Sequence, residues 1–385
     1  MKISKIESWP INSPFQHEER SALVARAGLT ELIVKITADN GLVGWGECTR
    51  AADVAGIQAA VSAMTPIVLG RSAWDREAIC RDVYIPGAWQ FQEMTGNFAY
   101  AGIDMALWDL CGKEVGKPLY QLLGGALRDE VNYFYYLPSA SGLEEVRAAC
   151  LDGVRRGYHV FYFKVGVHAH AEEEALAIIR ATIGERAKLR IDANQSWDPV
   201  TARRLITRWH NLFNLDFVEA PTRIAPLSIH CDLQRQISVP LCANEGMWRV
   251  EEAHRIIVAR AADYLCFSPY WVGSISRFMH LCRLADHHGL QVVKHTHGEF
   301  GLTAAAFQHL MLAIPNAADG HQQTASIVQR DVLPQRIPIA DGPTWGLIDG
   351  PGIGYDVDED AVLAQHELFR SQGEYLTYGD RFPLQ

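Results

Sequence analysis

Hydrophobic positions follow a strand pattern at the start of the chain and a helical pattern after it. The first 45 residues carry apolar runs of strand length, and Asn40-Gly41 lies between two of them as a typical hairpin turn. Residues 50–125 carry apolar residues at helical spacing, most clearly over 98–116. These patterns predict a domain of mixed strands and helices over residues 1–125.

Short apolar runs alternate with amphipathic helical segments from about residue 126 to residue 354. The runs recur every 23 to 30 residues, which is the length of one strand, one helix and two loops. Such repeats predict parallel strands that can close into a TIM-type α/β barrel. A doubly wound sheet would carry a G-x-G-x-x-G loop after its first strand, and the chain has none. Seven strands are predicted to begin near Val131, His159, Leu189, Leu215, Pro240, Asp263 and Leu290, with a weaker eighth strand over 317–321.

Composition narrows the classes of partner. The 385 residues include 35 Lys and Arg against 45 Asp and Glu, so the net charge is −10 and nucleic acid is not an expected partner. No apolar run reaches the roughly 18 residues of a membrane span, and the first ten residues lack the apolar region of a secretory signal. The eight cysteines show no C-x-x-C spacing, which argues against thiolate zinc sites and disulfides. We therefore expect a cytoplasmic enzyme without a membrane partner.

Three consecutive predicted strands end in a carboxylate: Asp192 in RIDANQSW, Glu219 in FVEAP and Glu245 in CANEGMW. Because catalytic side chains in a barrel come from the carboxyl ends of the strands, these three acids are expected to converge. They would repel one another unless a cation lay between them, and hard oxygen ligands without cysteine suit Mg²⁺. The alternative is that each acid is a solvated loop residue or a helix N-cap.

The three spaced acids, the segment AYAGIDMALWDLCGKEVGKPLYQLLGG (99–125) and the order of elements resemble the enolase superfamily, specifically its mandelate racemase-like subgroup. The resemblance implies an α/β fold, a modified TIM barrel of the (β/α)7β type, with an α+β N-terminal capping domain that the tail at about 355–385 completes. It also implies Mg²⁺ on the three acids, a small-molecule carboxylate substrate and removal of the proton α to that carboxylate. A homo-oligomer is implied by the same analogy.

A base is needed near the metal, and the second predicted strand offers Lys164. Tyr162 points to the same side as Lys164 because side chains alternate along a strand. Members of the subgroup often carry K-x-K here, so Lys164 matches the second lysine while Tyr162 replaces the first. Lys164 is a candidate base helped by Tyr162, or a lysine that only pairs with the substrate carboxylate.

The seventh predicted strand ends in KHTHGE (294–299). The resemblance implies a histidine here, paired with an aspartate at the end of the sixth strand. His295 matches that histidine, but the aspartate position falls on Ser268, which cannot stabilise an imidazolium as a carboxylate does. We therefore predict His295 as a general acid, with His297 as the alternative on the same side.

Further residues are predicted to bind substrate. Asn194 follows Asp192 by two residues, and His321 lies in the weak eighth strand. Segment 14–28 resembles the mobile loop that closes the site in relatives, and it offers Arg20, with Arg26 and His17 as alternatives.

The function predicted from these residues is a Mg²⁺-dependent dehydratase of a sugar acid, an aldonate or aldarate, giving a 2-keto-3-deoxy acid. A racemase or epimerase, or a lactone cycloisomerase, on the same scaffold remains open. A zinc amidohydrolase barrel is a further alternative, suggested by His168-x-His170 and His295-x-His297. Such a barrel would carry H-x-H on its first strand, which here reads VNYFYY, so we expect His168 and His170 on a surface loop.

Overall fold

The computed structural model describes residues 1–20, 25–49, 53–87, 94–139 and 142–375, with backbone alone for Arg20 and residues 85–87. The N-terminal region carries a three-stranded antiparallel sheet in the order β1-β2-β3. Its strands are β1 (Ile3–Arg20), β2 (Ala25–Ala38) and β3 (Val43–Cys48). The turn between β2 and β3 has Gly41 at φ 84°, so the predicted hairpin is confirmed.

The long helix α3 is buried along most of its length and packs against β3. It ends at Gly116 in the left-handed conformation, as its sequence predicts, and begins three residues before the predicted start at 98. The helices of this region are α1 (Val54–Val68), α2 (Arg76–Gly87), α3 (Thr95–Val115) and the short α4 (Leu119–Leu122).

Seven parallel strands then form a curled half-barrel sheet, which confirms the predicted α/β architecture with a capping domain. Their apolar side chains are buried on both faces of the sheet, as expected for parallel strands covered by helices. In chain order the strands are β5 (Tyr135–Leu137), β6 (Val160–Lys164), β7 (Lys188–Asp192), β8 (Leu215–Glu219), β9 (Leu241–Ala243), β10 (Tyr264–Phe267) and β11 (Gln291–Lys294). The helices that follow them are α5 (Leu143–Arg155), α6 (Ala169–Ile183), α7 (Pro199–Phe213), α8 (Ser228–Gln236), α9 (Val250–Ala259), α10 (Pro269–Val272), α11 (Ile275–His287) and α12 (Gly301–Ala313).

Two predicted strands differ from the structure. The run that begins near Val131 divides: β4 (Glu130–Asn132) pairs antiparallel with β12 (Thr344–Gly346), and only β5 joins the parallel sheet. The predicted eighth strand over 317–321 appears as two isolated bridges, at Ala317 and His321. Gly320 between them has φ 86°, which a regular strand does not allow.

The C-terminal segment returns to the first sheet. Helix α13 (Glu359–Gln372) packs against β1, and His366 Nδ1 lies 2.7 Å from the carbonyl oxygen of Pro10. This placement suits the predicted role of the tail, and the domain boundaries near residues 125 and 354 stay predictions. All eight cysteines are free. Within the described ranges, no helix combines the length and apolarity that a bilayer crossing requires.

Candidate active site

The three candidate metal ligands lie along one edge of the parallel sheet. Asp192 ends β7 and Glu219 ends β8, and the two residues are directly opposite each other in the strand register. Glu245 lies two residues beyond β9. Asp192 and Glu219 are fully buried, whereas Glu245 is half-buried. The strand ends therefore place the three carboxylates on successive strands at one mouth of the sheet.

Asp192 has a donor on each carboxylate oxygen. Tyr162 donates its hydroxyl hydrogen to Asp192 Oδ2 at 2.7 Å, and the Lys164 ammonium donates to the same oxygen. The backbone N–H of Asn194 donates to Asp192 Oδ1 at 2.8 Å. The Asn194 side-chain amide donates to Glu245 Oε1 at 3.1 Å. These contacts bring three sequence-predicted residues, Tyr162, Lys164 and Asn194, around the acids.

Glu219 has a donor that sequence reasoning missed. The side-chain amide nitrogen of Gln322 lies 3.1 and 3.2 Å from the two oxygens of Glu219. The neighbouring His321 is the residue that the sequence predicted, but the structure does not bring it to the carboxylates. Its Nδ1 accepts the backbone N–H of Lys294 at 3.0 Å, and burial lowers its pKa to about 3. Adjacent side chains on an extended segment face opposite ways, so the register of the strand decides which of His321 and Gln322 faces the acids. The sequence pattern of the weak eighth strand does not define that register.

Burial and mutual repulsion make the acids suited to a cation. Burial and then the charge of Asp192 raise the pKa of Glu219 well above its usual range. The same two causes raise the pKa of Glu245 to about 7. Glu245 Oε2 and Asn194 Oδ1 are buried without a hydrogen-bond partner among the described residues. This set of oxygen donors, with two unsatisfied oxygens, fits a hard cation such as Mg²⁺.

The carboxylates do not close into a compact cluster. Within the described part of the chain, the one group of three potential ligand atoms all within 4.8 Å of each other is Glu219, Cys242 and Cys266. Both cysteines belong to a buried cluster with Phe217, Val293 and Ala318, and Cys242 pairs with Glu219 in the strand register. The three acids are therefore more widely spaced, with Lys164 and Gln322 donating among them.

Lys164 and Tyr162 keep their protons beside Asp192. Burial, the largest single cause, would lower the pKa of Lys164, but Asp192, Tyr136 and Glu219 together outweigh burial and raise this pKa. Burial and then Asp192 raise the pKa of Tyr162 well above its usual range. The site thus holds an ammonium group and a neutral phenol on the β6 side.

His295 follows β11 at the other end of the sheet. The hydroxyl oxygen of Tyr270 lies 2.9 Å from His295 Nδ1, and Ser268 donates to the backbone oxygen of His295 at 2.5 Å. The residue at the expected aspartate position therefore contacts the backbone, not the ring. Burial, followed by the neighbouring His297 and the cation Lys164, lowers the pKa of His295 well below its usual range. The imidazole is neutral at pH 7.

His297 lies beside His295, with ring centroids 4.5 Å apart and nearly perpendicular planes. The indole N–H of Trp271 donates to His297 Nε2 at 3.0 Å. This hydrogen bond occupies one of the two ring nitrogens of His297.

The hairpin of β1 and β2 reaches the mouth of the sheet. The Arg26 guanidinium donates to the Glu19 carboxylate and to the backbone oxygen of His297. Tyr136, just after the start of β5, donates to Glu19 Oε1 at 3.2 Å. His17 is exposed, and the side chain of Arg20 lies outside the described residues. Arg26 and Glu19, not His17, therefore link the capping hairpin to the site.

The histidine pair that suggested a zinc amidohydrolase lies elsewhere. His168 is exposed immediately before α6, and the His170 side chain is 93% exposed near Glu174. Neither histidine shares the buried environment of the acids. Both histidines lie on the surface as expected, but His170 belongs to the first turn of α6 and not to a loop, and this arrangement gives no support to a zinc site there.

Two family models match the chain. Residues 6–124 match the mandelate racemase / muconate lactonizing enzyme N-terminal domain, and residues 145–361 match the enolase C-terminal domain-like model.

Three curated relatives each align over most of their length. L-Ala-D/L-Glu epimerase of Bacillus subtilis is 29% identical, covering 92% of this chain and 96% of the relative. D-galactarolactone cycloisomerase of Agrobacterium fabrum is 26% identical, covering 94% and 98%. Arabinonate dehydratase of Saccharolobus solfataricus is 26% identical, covering 91% and 95%.

Solved structures share the fold. A dipeptide epimerase from Enterococcus faecalis, complexed with Mg and a dipeptide, superposes with a TM-score of 0.86 at 22% identity, covering 92% of this chain and 100% of the other. An enolase from Mycobacterium smegmatis, complexed with tartrate, gives a TM-score of 0.88 at 22% identity, covering 97% and 93%. Both of these proteins hold small carboxylate ligands. With both domain models matched over most of its length, the chain belongs to the enolase superfamily and is of the mandelate racemase / muconate lactonizing enzyme type.

Proposed function

We propose that the protein is a Mg²⁺-dependent dehydratase of a sugar acid, an aldonate or aldarate. The observation that carries this proposal is the placement of Lys164 and His295 on opposite sides of the acids. Lys164 ends β6 and His295 follows β11, and the strands that carry Asp192 and Glu219 lie between them in the sheet order. A carboxylate substrate bound between these side chains would have one of them on each side.

Asp192, Glu219 and Glu245 would hold the Mg²⁺ ion. When bound, Mg²⁺ supplies positive charge that stabilises the negative charge developing on the substrate carboxylate as the α-proton leaves. Tyr162 and Asn194 hydrogen-bond to Asp192 and would keep the carboxylate of Asp192 oriented for the ion. The Lys164 ammonium adds a second positive charge for the substrate carboxylate.

We assign proton transfer to His295. Its neutral imidazole accepts the α-proton from carbon 2, and the C–H electron pair forms the carbon–carbon double bond as the bond to the β-hydroxyl breaks. The resulting imidazolium, disfavoured by burial and by Lys164, returns the same proton to the departing hydroxyl, which leaves as water. The enol then becomes the 2-keto-3-deoxy acid. His295 thus serves as base and acid, and Lys164 pairs with the substrate.

Sugar acids are supported as the substrate class by two relatives. Arabinonate dehydratase is named for a sugar acid, and D-galactarolactone cycloisomerase is named for the lactone of one. An anionic substrate needs the cation, because Asp192, Glu219 and Glu245 outnumber the Lys164 ammonium beside them; bound Mg²⁺ would bring the charge of these four residues to zero.

A panel of aldonic and aldaric acids tests the proposal. We expect Mg²⁺-dependent formation of a 2-keto acid, detected with semicarbazide, from at least one acid. His295→Asn and Asp192→Asn should each lower the rate by about 10²–10⁴-fold. His170→Asn, on the exposed start of α6, should leave the rate unchanged. Absence of a 2-keto acid from every panel member would overturn dehydration.

Epimerisation is the second candidate, and the 29% identity to L-Ala-D/L-Glu epimerase favours it. An epimerase takes the proton on one face and returns one on the other, which Lys164 and His295 could share. Proton NMR in D₂O separates the outcomes: epimerisation gives α-deuterium and inverted stereochemistry without a keto acid.

A cycloisomerase would instead interconvert a lactone and its ring-opened acid.

A further inference from the structure

Tyr270 holds the ring of His295 from the segment after β10. Its hydroxyl oxygen lies 2.9 Å from His295 Nδ1 and 3.2 Å from the backbone oxygen of the same residue. The tyrosine ring is 2% exposed and stacks against Phe98 and Phe307, with centroids 5.3 and 5.8 Å away. The phenol is therefore held among buried aromatic rings beside the imidazole.

We propose that Tyr270 is the positioning residue of His295. Its neutral phenol replaces a charged carboxylate as the partner of Nδ1 and leaves Nε2 for the substrate. The catalytic importance of this contact rests on the proposed function, whereas the contact itself does not. Sequence reasoning looked for this partner at Ser268, two residues earlier, which donates to the backbone of His295 instead.

A phenol differs from a carboxylate because it can both donate and accept. A carboxylate beside Nδ1 accepts only and would fix the ring proton on Nδ1. The Tyr270 hydroxyl oxygen can accept the proton of Nδ1 and donate its own hydrogen to the backbone oxygen of His295, which leaves Nε2 unprotonated to take the α-proton. The same two hydrogen bonds persist when both ring nitrogens carry a proton. Tyr270 therefore supports the imidazole before it accepts the α-proton and the imidazolium afterwards.

The phenol also keeps the imidazole free of a negative neighbour. The groups that act on His295 are its neighbour His297 and the cations Lys164, Lys294 and Arg26. All of these groups disfavour a positive charge on His295. The Glu299 carboxylate accepts a hydrogen bond from the ammonium of Lys294. An aspartate partner would favour a charged resting ring, whereas Tyr270 adds no charge. A proton taken by His295 is thus passed on readily, which suits elimination of the β-hydroxyl.

The contact is tested without substrate by ¹⁵N NMR of histidine-labelled protein, with His295 assigned from His295→Asn. We expect a neutral His295 in the wild type and a shifted pair of ring-nitrogen signals in Tyr270→Phe, which lacks only the hydroxyl. Tyr135→Phe removes a phenol that bonds to Asp152 at 3.0 Å and should leave the His295 signals in place. His295 signals that coincide in Tyr270→Phe and the wild type would overturn the positioning role.

Kinetics test what the contact does. On any acid that the enzyme converts, Tyr270→Phe should lower kcat by about 10- to 100-fold and leave KM within about twofold, as expected for lost orientation of a reacting group. Equal kcat values in Tyr270→Phe and wild type would refute the role in turnover even where the NMR shift is seen. If no acid is converted, the proposed function fails while the NMR result still decides the contact.

Discussion

The side-chain amide nitrogen of Gln322 lies between the two carboxylate oxygens of Glu219, 3.1 Å from one and 3.2 Å from the other. Because Glu219 is fully buried, the loss of this donor leaves a buried acceptor unsatisfied. Gln322→Leu should therefore lower the free energy of unfolding by about 1–3 kcal/mol without Mg²⁺. Part of that loss should return when Mg²⁺ is added, because the cation neutralises Glu219.

Thermal unfolding with and without Mg²⁺ measures this effect. The matched control is Gln323→Leu, the next residue, whose buried amide bonds to Ser326 Oγ at 3.1 Å. The loss of stability in Gln323→Leu should not depend on Mg²⁺. An identical Mg²⁺ response in both variants would contradict the link between Gln322 and the metal ligands.

The buried pair of Arg26 and Glu19 should matter more than a surface pair. Both side chains are at most about one-tenth exposed, and Arg26 also bonds to the backbone of His297. Glu19→Gln leaves the Arg26 charge without its partner, and breaking a buried pair in this way costs about 3–5 kcal/mol. We expect a loss of this order in urea unfolding.

The control for Glu19 is the pair of Lys5 and Glu7, in which Lys5 is 62% exposed. Glu7→Gln should change the free energy of unfolding by less than about 1 kcal/mol. Similar losses in Glu7→Gln and Glu19→Gln would show that the capping hairpin is not held by its buried pair.

The sequence predicted the elements that repeat and missed the residues that depend on loops. Asp192 and Glu219 end two strands with clear apolar runs, so alternation and strand spacing were enough to place them side by side. Tyr270 lies in a helix of four residues, which carries no periodic signal. Gln322 lies where the predicted eighth strand is reduced to isolated bridges. Such contacts depend on the path of the chain in three dimensions, which a single sequence pattern does not contain.

Glu47 should make the stability of the protein depend on pH. It accepts the backbone N–H groups of Phe300 and Thr303 at 2.9 and 3.0 Å, and burial raises its pKa to about 8 despite these bonds. The folded protein therefore keeps a proton that the unfolded chain releases above pH about 4.5. The stability from this proton is full below that pH and is lost as the pH rises towards 8.

Urea unfolding between pH 5 and 8 should show this difference against Glu47→Gln. The wild-type free energy of unfolding should fall relative to that of the variant, with a limiting slope of about 1.4 kcal/mol per pH unit for one proton. Glu144→Gln, at a side chain that is 89% exposed, should run parallel to the wild type. A parallel curve for Glu47→Gln would contradict the raised pKa.

Close packing of β3 on α3 depends on glycine at position 46. A Cβ atom on Gly46 would lie 1.9 Å from the backbone oxygen of Gly102. The other nearest atoms are also backbone atoms of α3, which cannot move aside as a flexible side chain could. Gly46→Ala should therefore separate the strand from the helix and lower the free energy of unfolding by about 1–3 kcal/mol or more. Gly142→Ala is the control, because Gly142 has φ −65° and its Cβ would meet nothing within 4 Å. Glu47 follows Gly46 and accepts backbone N–H groups at the start of α12, so Gly46→Ala should also weaken the pH dependence of stability that is assigned to Glu47. If Gly46→Ala were as stable as Gly142→Ala, β3 could move away from α3 without a loss of stability.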